Sequence, residues 1–369
     1  MFATSIFFAF PKTSISSMIT TALLVMWLSI IDSTFAAGVS TTEQDKIRSV
    51  FNAMFDHLED QYLHRQDYDF ASLRKETIAI AIKEESFESA LLLSSGLFDR
   101  IQCNHCQIFY EDKHVASSLN KQLSQEDFSA AFLLEYQENP SFSVAVLDSK
   151  YGYVNMPGML LIDLTTEALN QTTQEMYDAI ADIAERNEII GWIIDLRFNI
   201  GGNAYPMITA LHYLLGDRVV YGVKDREGTI ISTQRLKEGA FFVGDDKVVQ
   251  VNAQLEPNTD TPVALLTSKL TASAGENVAI AFTHRSNSLV IGQPSYGHLT
   301  ANELIDLSYG VQFALTSGYI VDEVGDYRPT IEPDISTDKQ DNFVDFLLDE
   351  NVKMAIDFFK TVNRSQRPL

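Results

Sequence analysis

Ser273 lies in the run Thr271-Ala272-Ser273-Ala274-Gly275-Glu276, after the apolar segment Ala264-Leu265-Leu266 and ahead of a helix-like stretch from Asn277 to Thr283. A serine at a strand-to-helix junction has the geometry of a nucleophile elbow. A second element of the same kind is Ile193-Ile194-Asp195-Leu196-Arg197-Phe198-Asn199-Ile200-Gly201-Gly202-Asn203, which leads into a helix from Tyr205 to Leu215. In each, a buried strand ends in a turn of small residues and a helix starts at once. Free N–H groups at such a helix start, exposed by glycines, suit a developing oxyanion. A serine hydroxyl is a poor nucleophile until a neighbouring base removes its proton, and imidazole titrates near working pH. The chain offers seven histidines: His57, His64, His105, His114, His212, His284 and His298. Taken singly, the two elements leave blander readings open, with Gly201-Gly202 as an ordinary turn and Ser273 as a helix N-cap.

The surrounding pattern supplies elements to hold these turns. Residues 42–98 read as helices, with Val50, Phe51, Met54, Phe55 and Leu58 at helical spacing, followed by Ile78, Ile80, Ile82, Phe87, Ala90, Leu91 and Leu92. The polar stretch Glu111 to Gln137 reads as helix and loop. From Ser143 the texture turns to short β-type runs, at 143–147, 151–154 and 159–162, then a helix from Thr172 to Asn187. Ile189 to Leu196 is nearly all apolar, as expected of a strand buried on both faces of a parallel sheet. Strands at 263–266 and 288–291 flank a helix over 274–283. The expected organisation is a helical domain over 37–125 and an α/β domain over 143–362.

Composition narrows the function. Lys plus Arg is 27 against 50 Asp plus Glu, a net charge of −23, and such a surface repels phosphate backbones and anionic lipid. Nucleic acid is excluded as a partner. Residues 1–36 read as a secretory leader: Lys12, an apolar run from Met18 to Ile31, and small residues Thr34 and Ala36 before the expected cleavage. The chain is therefore expected to be exported, periplasmic or secreted, without stable membrane insertion after cleavage; an uncleaved leader would make it membrane-anchored. Cys103 and Cys106, with His105 between them, read as a disulfide in an oxidising compartment, with redox and metal roles as alternatives. No cofactor and no metal are expected.

Together and in this order, the two elements resemble the C-terminal processing protease superfamily, which includes tail-specific proteases, the tricorn core and retinoid-binding relatives. Its Asp-Leu-Arg-x-Asn-x-Gly-Gly pattern is matched by Asp195, Leu196, Arg197, Asn199, Gly201 and Gly202, and its Thr-x-Ser-Ala-x-Glu pattern by Thr271, Ser273, Ala274 and Glu276. The Gly-x-x-Thr-x-Gly element appears as Gly292-Gln293-Pro294-Ser295-Tyr296-Gly297, with serine for threonine, and the terminal signature as Ile331-Glu332-Pro333-Asp334. The resemblance implies a crotonase-like/ClpP-like β-β-α spiral core and an endopeptidase working through an acyl-enzyme on a protein or peptide substrate. A non-catalytic ligand- or peptide-binding protein on the same fold is the alternative.

Departures from the family pattern refine the roles. Tail-specific proteases place a lysine base directly after the Gly-x-x-Thr-x-Gly element, where this chain has His298. The tricorn-like branch takes a histidine from the end of its helical segment and a glutamate near the last motif, positions that fall on His105 and Glu332. The resemblance thus implies Ser273 as nucleophile, His105 as general acid/base and Glu332 as its orienter, with His298 as alternative base or substrate contact. Backbone N–H groups of Gly201 or Gly202, with Ala274, would form the oxyanion hole. Asp195 with Arg197 reads as a structural pair, and Glu276 as a helix-start carboxylate. About 40 residues separate His105 from the first catalytic-domain strand, too few for the PDZ domain that tail-specific proteases carry.

Overall fold

A computed structural model describes residues 41–159 and 165–365. The expected leader lies outside the described residues, as does the far end of the run expected over 159–162. The chain divides into two units, one made of residues up to Gln122 plus Glu303–Thr316, the other of Leu123–Asn302 plus Ser317 onward.

The first unit opens with three helices, α1 (Thr41–Gln61), α2 (Phe70–Ala81) and α3 (Phe87–Arg100). Along α1, Ile47, Val50, Phe51, Met54, Phe55 and Leu58 form a fully buried stripe at three- and four-residue steps. Asp69 starts α2 by accepting the Ser72 N–H at 3.1 Å, and Ser86 starts α3 by accepting the Ser89 N–H, also at 3.1 Å. A hairpin follows, β1 (Gln107–Tyr110) and β2 (Lys113–Ala116), turning at Glu111 with φ +51°. The polar stretch expected as helix and loop therefore begins with a strand. Phe313, from the late segment of this unit, stacks on Phe98 with centroids 6.0 Å apart and pairs with Ile108 of β1. Cys103 and Cys106 form a disulfide.

The second unit holds the remaining elements. They are α4 (Ala130–Gln137), β3 (Ser143–Leu147), β4 (Tyr151–Asn155), α5 (Thr166–Arg186), β5 (Gly191–Asp195), α6 (Ala204–Ala210) and α7 (His212–Leu215). Then come β6 (Arg218–Lys224), β7 (Ile230–Lys237), β8 (Ala240–Val243), β9 (Asp246–Gln250), β10 (Val263–Thr267), α8 (Ala274–Ala281) and β11 (Ser288–Gly292). β12 (Thr300–Asp306) and β13 (Gln312–Val321) cross the division between units, and β14 (Ile335–Ser336) and α9 (Glu350–Ser365) close the chain.

The sheet that carries both motif turns runs β14-β11-β10-β5-β4-β3, parallel except for β3. Its centre is β5, and the two-residue alternation of the strand decides which core each side chain joins. Trp192 and Ile194 pack with α5, α6 and α8, while Ile193 packs with Val352, Ala355 and Phe359 of α9. The sheet is thus covered on both faces, which is why Ile193 and Ile194 are both fully buried. β6, β7, β8 and β9 form an antiparallel meander, and Ile320 of β13 pairs with Val223 of β6. The fold is mixed α/β with an N-terminal helical region. Among the described residues no helix is long and apolar enough to cross a membrane.

Candidate active site

The two motif turns leave the C-terminal ends of adjacent parallel strands, β5 and β10, and are stitched together over their whole length. The Leu196 N–H donates to Leu266 O at 2.9 Å, the Thr271 hydroxyl to Leu196 O at 2.9 Å, and the Ser268 hydroxyl to Arg197 O at 2.7 Å. The Ala272 N–H reaches Asn199 O at 2.8 Å, fixing the residue immediately before Ser273. Asn199 acts as a latch inside the first turn. Its amide donates to Met156 O, and its Oδ1 accepts the Gly201 N–H, both at 3.0 Å.

Beneath the first turn, the Arg197 guanidinium is 1% exposed and meets three carboxylates. Asp195 lies at 2.6 Å and Asp341 and Asp349 at 2.8 Å each. The Tyr153 hydroxyl adds a 2.7 Å bond to Asp195, and the Phe343 ring stacks 4.4 Å from the guanidinium. A buried cation needs such partners, because an unpaired charge in a low dielectric is costly. Arg197 and Asp195 are therefore a foundation under the turn. Asp341 and Asp349 lie far along the chain, and no sequence signal links them to Arg197.

Ser273 stands at φ +51°, ψ −112°, a conformation that L-residues other than glycine seldom adopt. An ordinary N-cap serine has an extended backbone, so capping does not explain it. Instead Glu276 caps the helix start by accepting the Ser273 N–H at 2.7 Å. The same carboxylate accepts the Gly297 and His298 N–H groups at 2.8 Å and the Ser295 hydroxyl. Burial pushes the Glu276 carboxyl up, while these four donors pull it down. Glu276 is the helix-start carboxylate expected from the sequence, and it also ties Ser273 to the 295–298 segment.

The glycine turn lies directly against the serine. A Cβ on Gly201 would stand 3.0 Å from Ser273 Cβ and 3.5 Å from its Oγ. Gly201 and Gly202 have φ of +112° and +114°, and a Cβ on Gly202 would strike Met159 O. The Gly201 N–H is committed to Asn199, which removes it from the expected pair of oxyanion donors. The N–H groups of Gly202 and Ala274 have no acceptor among the described residues.

The histidines separate by place. His57 bonds Gln61, His114 bonds Gln107, His212 meets Asp217, His284 meets Asp322, and His64 lies 3.9 Å from Asp67. His298 belongs to the unit of Ser273. Its backbone N–H and that of Ser273 share Glu276 Oε2, and its ring lies edge-on to Tyr296 with centroids 4.5 Å apart. Burial pushes the Tyr296 phenol up to about 12. His105 belongs to the helical unit, is 6% exposed, and is held down at about 4 by burial. Glu332 is exposed, and its carboxylate is engaged by the Thr330 hydroxyl at 2.7 Å. Thr330 stands two residues before Glu332 in the same loop, and both lie in the unit of Ser273. Among the described residues no group of three His, Cys, Asp or Glu side chains is placed to hold a metal ion.

These turns belong to a recognisable whole. Residues 150–337, from the start of β4 to just past β14, match the model of peptidase family S41. The chain belongs to peptidase family S41. Over 155 residues this S41 chain is 29% identical to the Nisin-resistance protein of Lactococcus lactis subsp. lactis, covering 41% of the chain and 48% of that protein. It is 28% identical over 164 residues to Carboxyl-terminal-processing peptidase 2, chloroplastic, of Arabidopsis thaliana, covering 44% and 28%. These matches span half or less of the length of either curated relative. The fold is shared with the structure of a lipoprotein from Streptococcus agalactiae at a TM-score of 0.60 and 18% identity, over 91% of this chain and 99% of that one.

Proposed function

We propose that the chain is an exported serine peptidase in which Ser273 is the nucleophile and His105 its general acid/base, with His298 as alternative base or substrate contact. One observation carries the reading. A non-glycine residue is held at positive φ, a glycine turn is pressed against it, and the Gly202 and Ala274 N–H groups beside it are uncommitted.

In this mechanism Ser273 Oγ attacks the scissile carbonyl carbon as its proton passes to the imidazole. The tetrahedral oxyanion accepts hydrogen bonds from Gly202 and Ala274, and loss of one such donor typically slows reaction about 10²–10³-fold. The leaving amine takes the proton from the imidazolium, and water then hydrolyses the acyl-enzyme. His105, low at about 4, is neutral above pH 5 and so able to accept a proton. Export is supported by the leader-like residues 1–36 and the Cys103–Cys106 disulfide. The names of a similar protein, a nisin-resistance protein, and of a protein sharing the fold, a lipoprotein, accord with it.

The test is cleavage of casein and labelling by a fluorophosphonate, with wild type beside Ser273→Ala, His105→Ala and His298→Ala. Wild type is expected to cleave and label, and Ser273→Ala to do neither. A Ser273→Ala protein as active as wild type would overturn the assignment. Loss in His105→Ala with retention in His298→Ala assigns the base to His105, and the reverse pattern assigns it to His298.

A further inference from the structure

Beside the glycine turn, between α5 and β3, lies an open hollow of about 490 Å³. Apolar side chains of Phe142, Val144, Met159, Met176, Ala179 and Ile183 line it, together with the polar Ser143, Thr172, Glu175 and Asp182. The α5 wall arises from spacing: Thr172, Glu175, Met176, Ala179, Asp182 and Ile183 recur at steps that keep them on one helix face. The adjoining face carries Tyr177 and Ile180 into the core.

We infer that this hollow is a side-chain subsite of the peptidase, taking a large apolar side chain of a peptide substrate that has a basic residue beside it. The inference rests on the serine peptidase reading and adds a substrate class to it. Position is the first argument. The Met159 N–H donates to Gly201 O at 2.9 Å and its carbonyl accepts the Asn203 N–H at 3.1 Å, so the wall residue brackets Gly202. A substrate carbonyl at the Gly202 N–H therefore has the hollow within one or two residues, since an extended chain advances about 3.3 Å per residue. Size is the second argument, because the volume accommodates an aromatic or long aliphatic side chain with room for part of its neighbour. Charge is the third. Glu175 and Asp182 stand exposed on the rim; Asp182 is paired with Arg186 at 2.7 Å, whereas Glu175 accepts only the Gln171 amide at 3.1 Å. The rim thus carries one carboxylate with no cation against it, on a chain of net charge −23.

The experiment compares side-chain preference and chemistry separately. Peptide libraries varied around the cleaved bond are given to wild type, Ala179→Phe and Glu175→Lys, and each protein's fluorophosphonate labelling rate is measured alongside. Wild type is expected to prefer Leu, Met or Phe over Ala at one position by about ten- to a hundredfold in kcat/KM, with Lys or Arg favoured next to it. Ala179→Phe, which fills the hollow, erases the apolar preference and keeps the labelling rate. Glu175→Lys removes the basic preference and likewise keeps the labelling rate. An unchanged preference in Ala179→Phe overturns the subsite, as does a labelling rate that falls in step with cleavage. A wild type that neither labels nor cleaves overturns the peptidase reading itself, and the subsite with it.

Discussion

The buried Arg197 cluster permits a prediction in which the sign of one substitution reverses with background. Arg197→Met keeps an apolar side chain of similar length against Phe343 but strips the cation from Asp195 and Asp349, both 0% exposed, and from Asp341 at 10%. Removing one partner of a buried ion pair typically costs about 3–5 kcal/mol. At about 2–4 °C per kcal/mol for a unit of this size, the melting midpoint should fall by about 6–20 °C. Asp349→Asn provides the internal control. In wild type it removes a charge-assisted bond and should destabilise, while the asparagine still caps Val352 as Asp349 does at 3.2 Å. In the Arg197→Met background the same change removes an uncompensated buried charge and should stabilise, by about 1–3 kcal/mol. Thermal and urea melts of the four proteins complete the cycle. Additive effects, or a loss below about 1 kcal/mol for Arg197→Met, would refute the claim that the cluster is held by charge compensation.

Three further outcomes follow from the site. Glu276→Gln keeps the shape but turns one oxygen into a donor facing two N–H groups or the Ser295–Gly297 pair, so stability should fall by about 1–3 kcal/mol, with slower fluorophosphonate labelling; full retention of both would count against its anchoring role. Ser273→Gly should be inactive yet more stable by about 1 kcal/mol, because glycine accepts the positive φ, and a lower urea midpoint would contradict the strain. His105 is lowered from 6.5 to about 4, so the folded state resists the proton that the unfolded chain takes up. Its contribution is complete above pH 6.5 and is lost as pH falls toward 4, a change of about 3 kcal/mol at most; His105→Asn should flatten the melting profile over that interval, and an unchanged slope would exclude the linkage.

The parts of this structure that were legible in the sequence are those encoded locally. β5 and β10 are continuous apolar runs because both faces of the sheet are covered, and the turns after them carry glycine and serine where positive φ is needed. Asp195 with Arg197 and Glu276 were read as structural groups, and the structure gives them that work. The meander from β6 to β9 went unread. Its strands carry charges such as Lys224 and Arg235 at partly exposed positions, which break the alternation, although Gly228 and Gly239 mark two of its turns. In the hairpin at 107–116 the sequence offers no reading for β1, and β2 falls in the stretch from Glu111 read as helix and loop, because the strands are four residues each and mostly half-exposed. α5 starts at Thr166 rather than Thr172, since the Thr165 cap and Glu167 already satisfy the helix start. One site detail depends on distant contacts that no local pattern encodes, Asp341 and Asp349 joining Arg197, whereas the bonds of Asn199 to Gly201 and of Thr330 to Glu332 each span two residues and turn on side-chain direction.

Glu276 grips position 298 through the main chain and leaves the imidazole out of the bond. The bond that registers residue 298 to Ser273 is therefore one that any residue with a main-chain N–H can make. The frame behaves as a socket with an exchangeable fitting: another side chain at 298 leaves intact the main-chain bond to the carboxylate that also holds Ser273. Such decoupling separates the choice of side chain at 298 from the turn that presents Ser273.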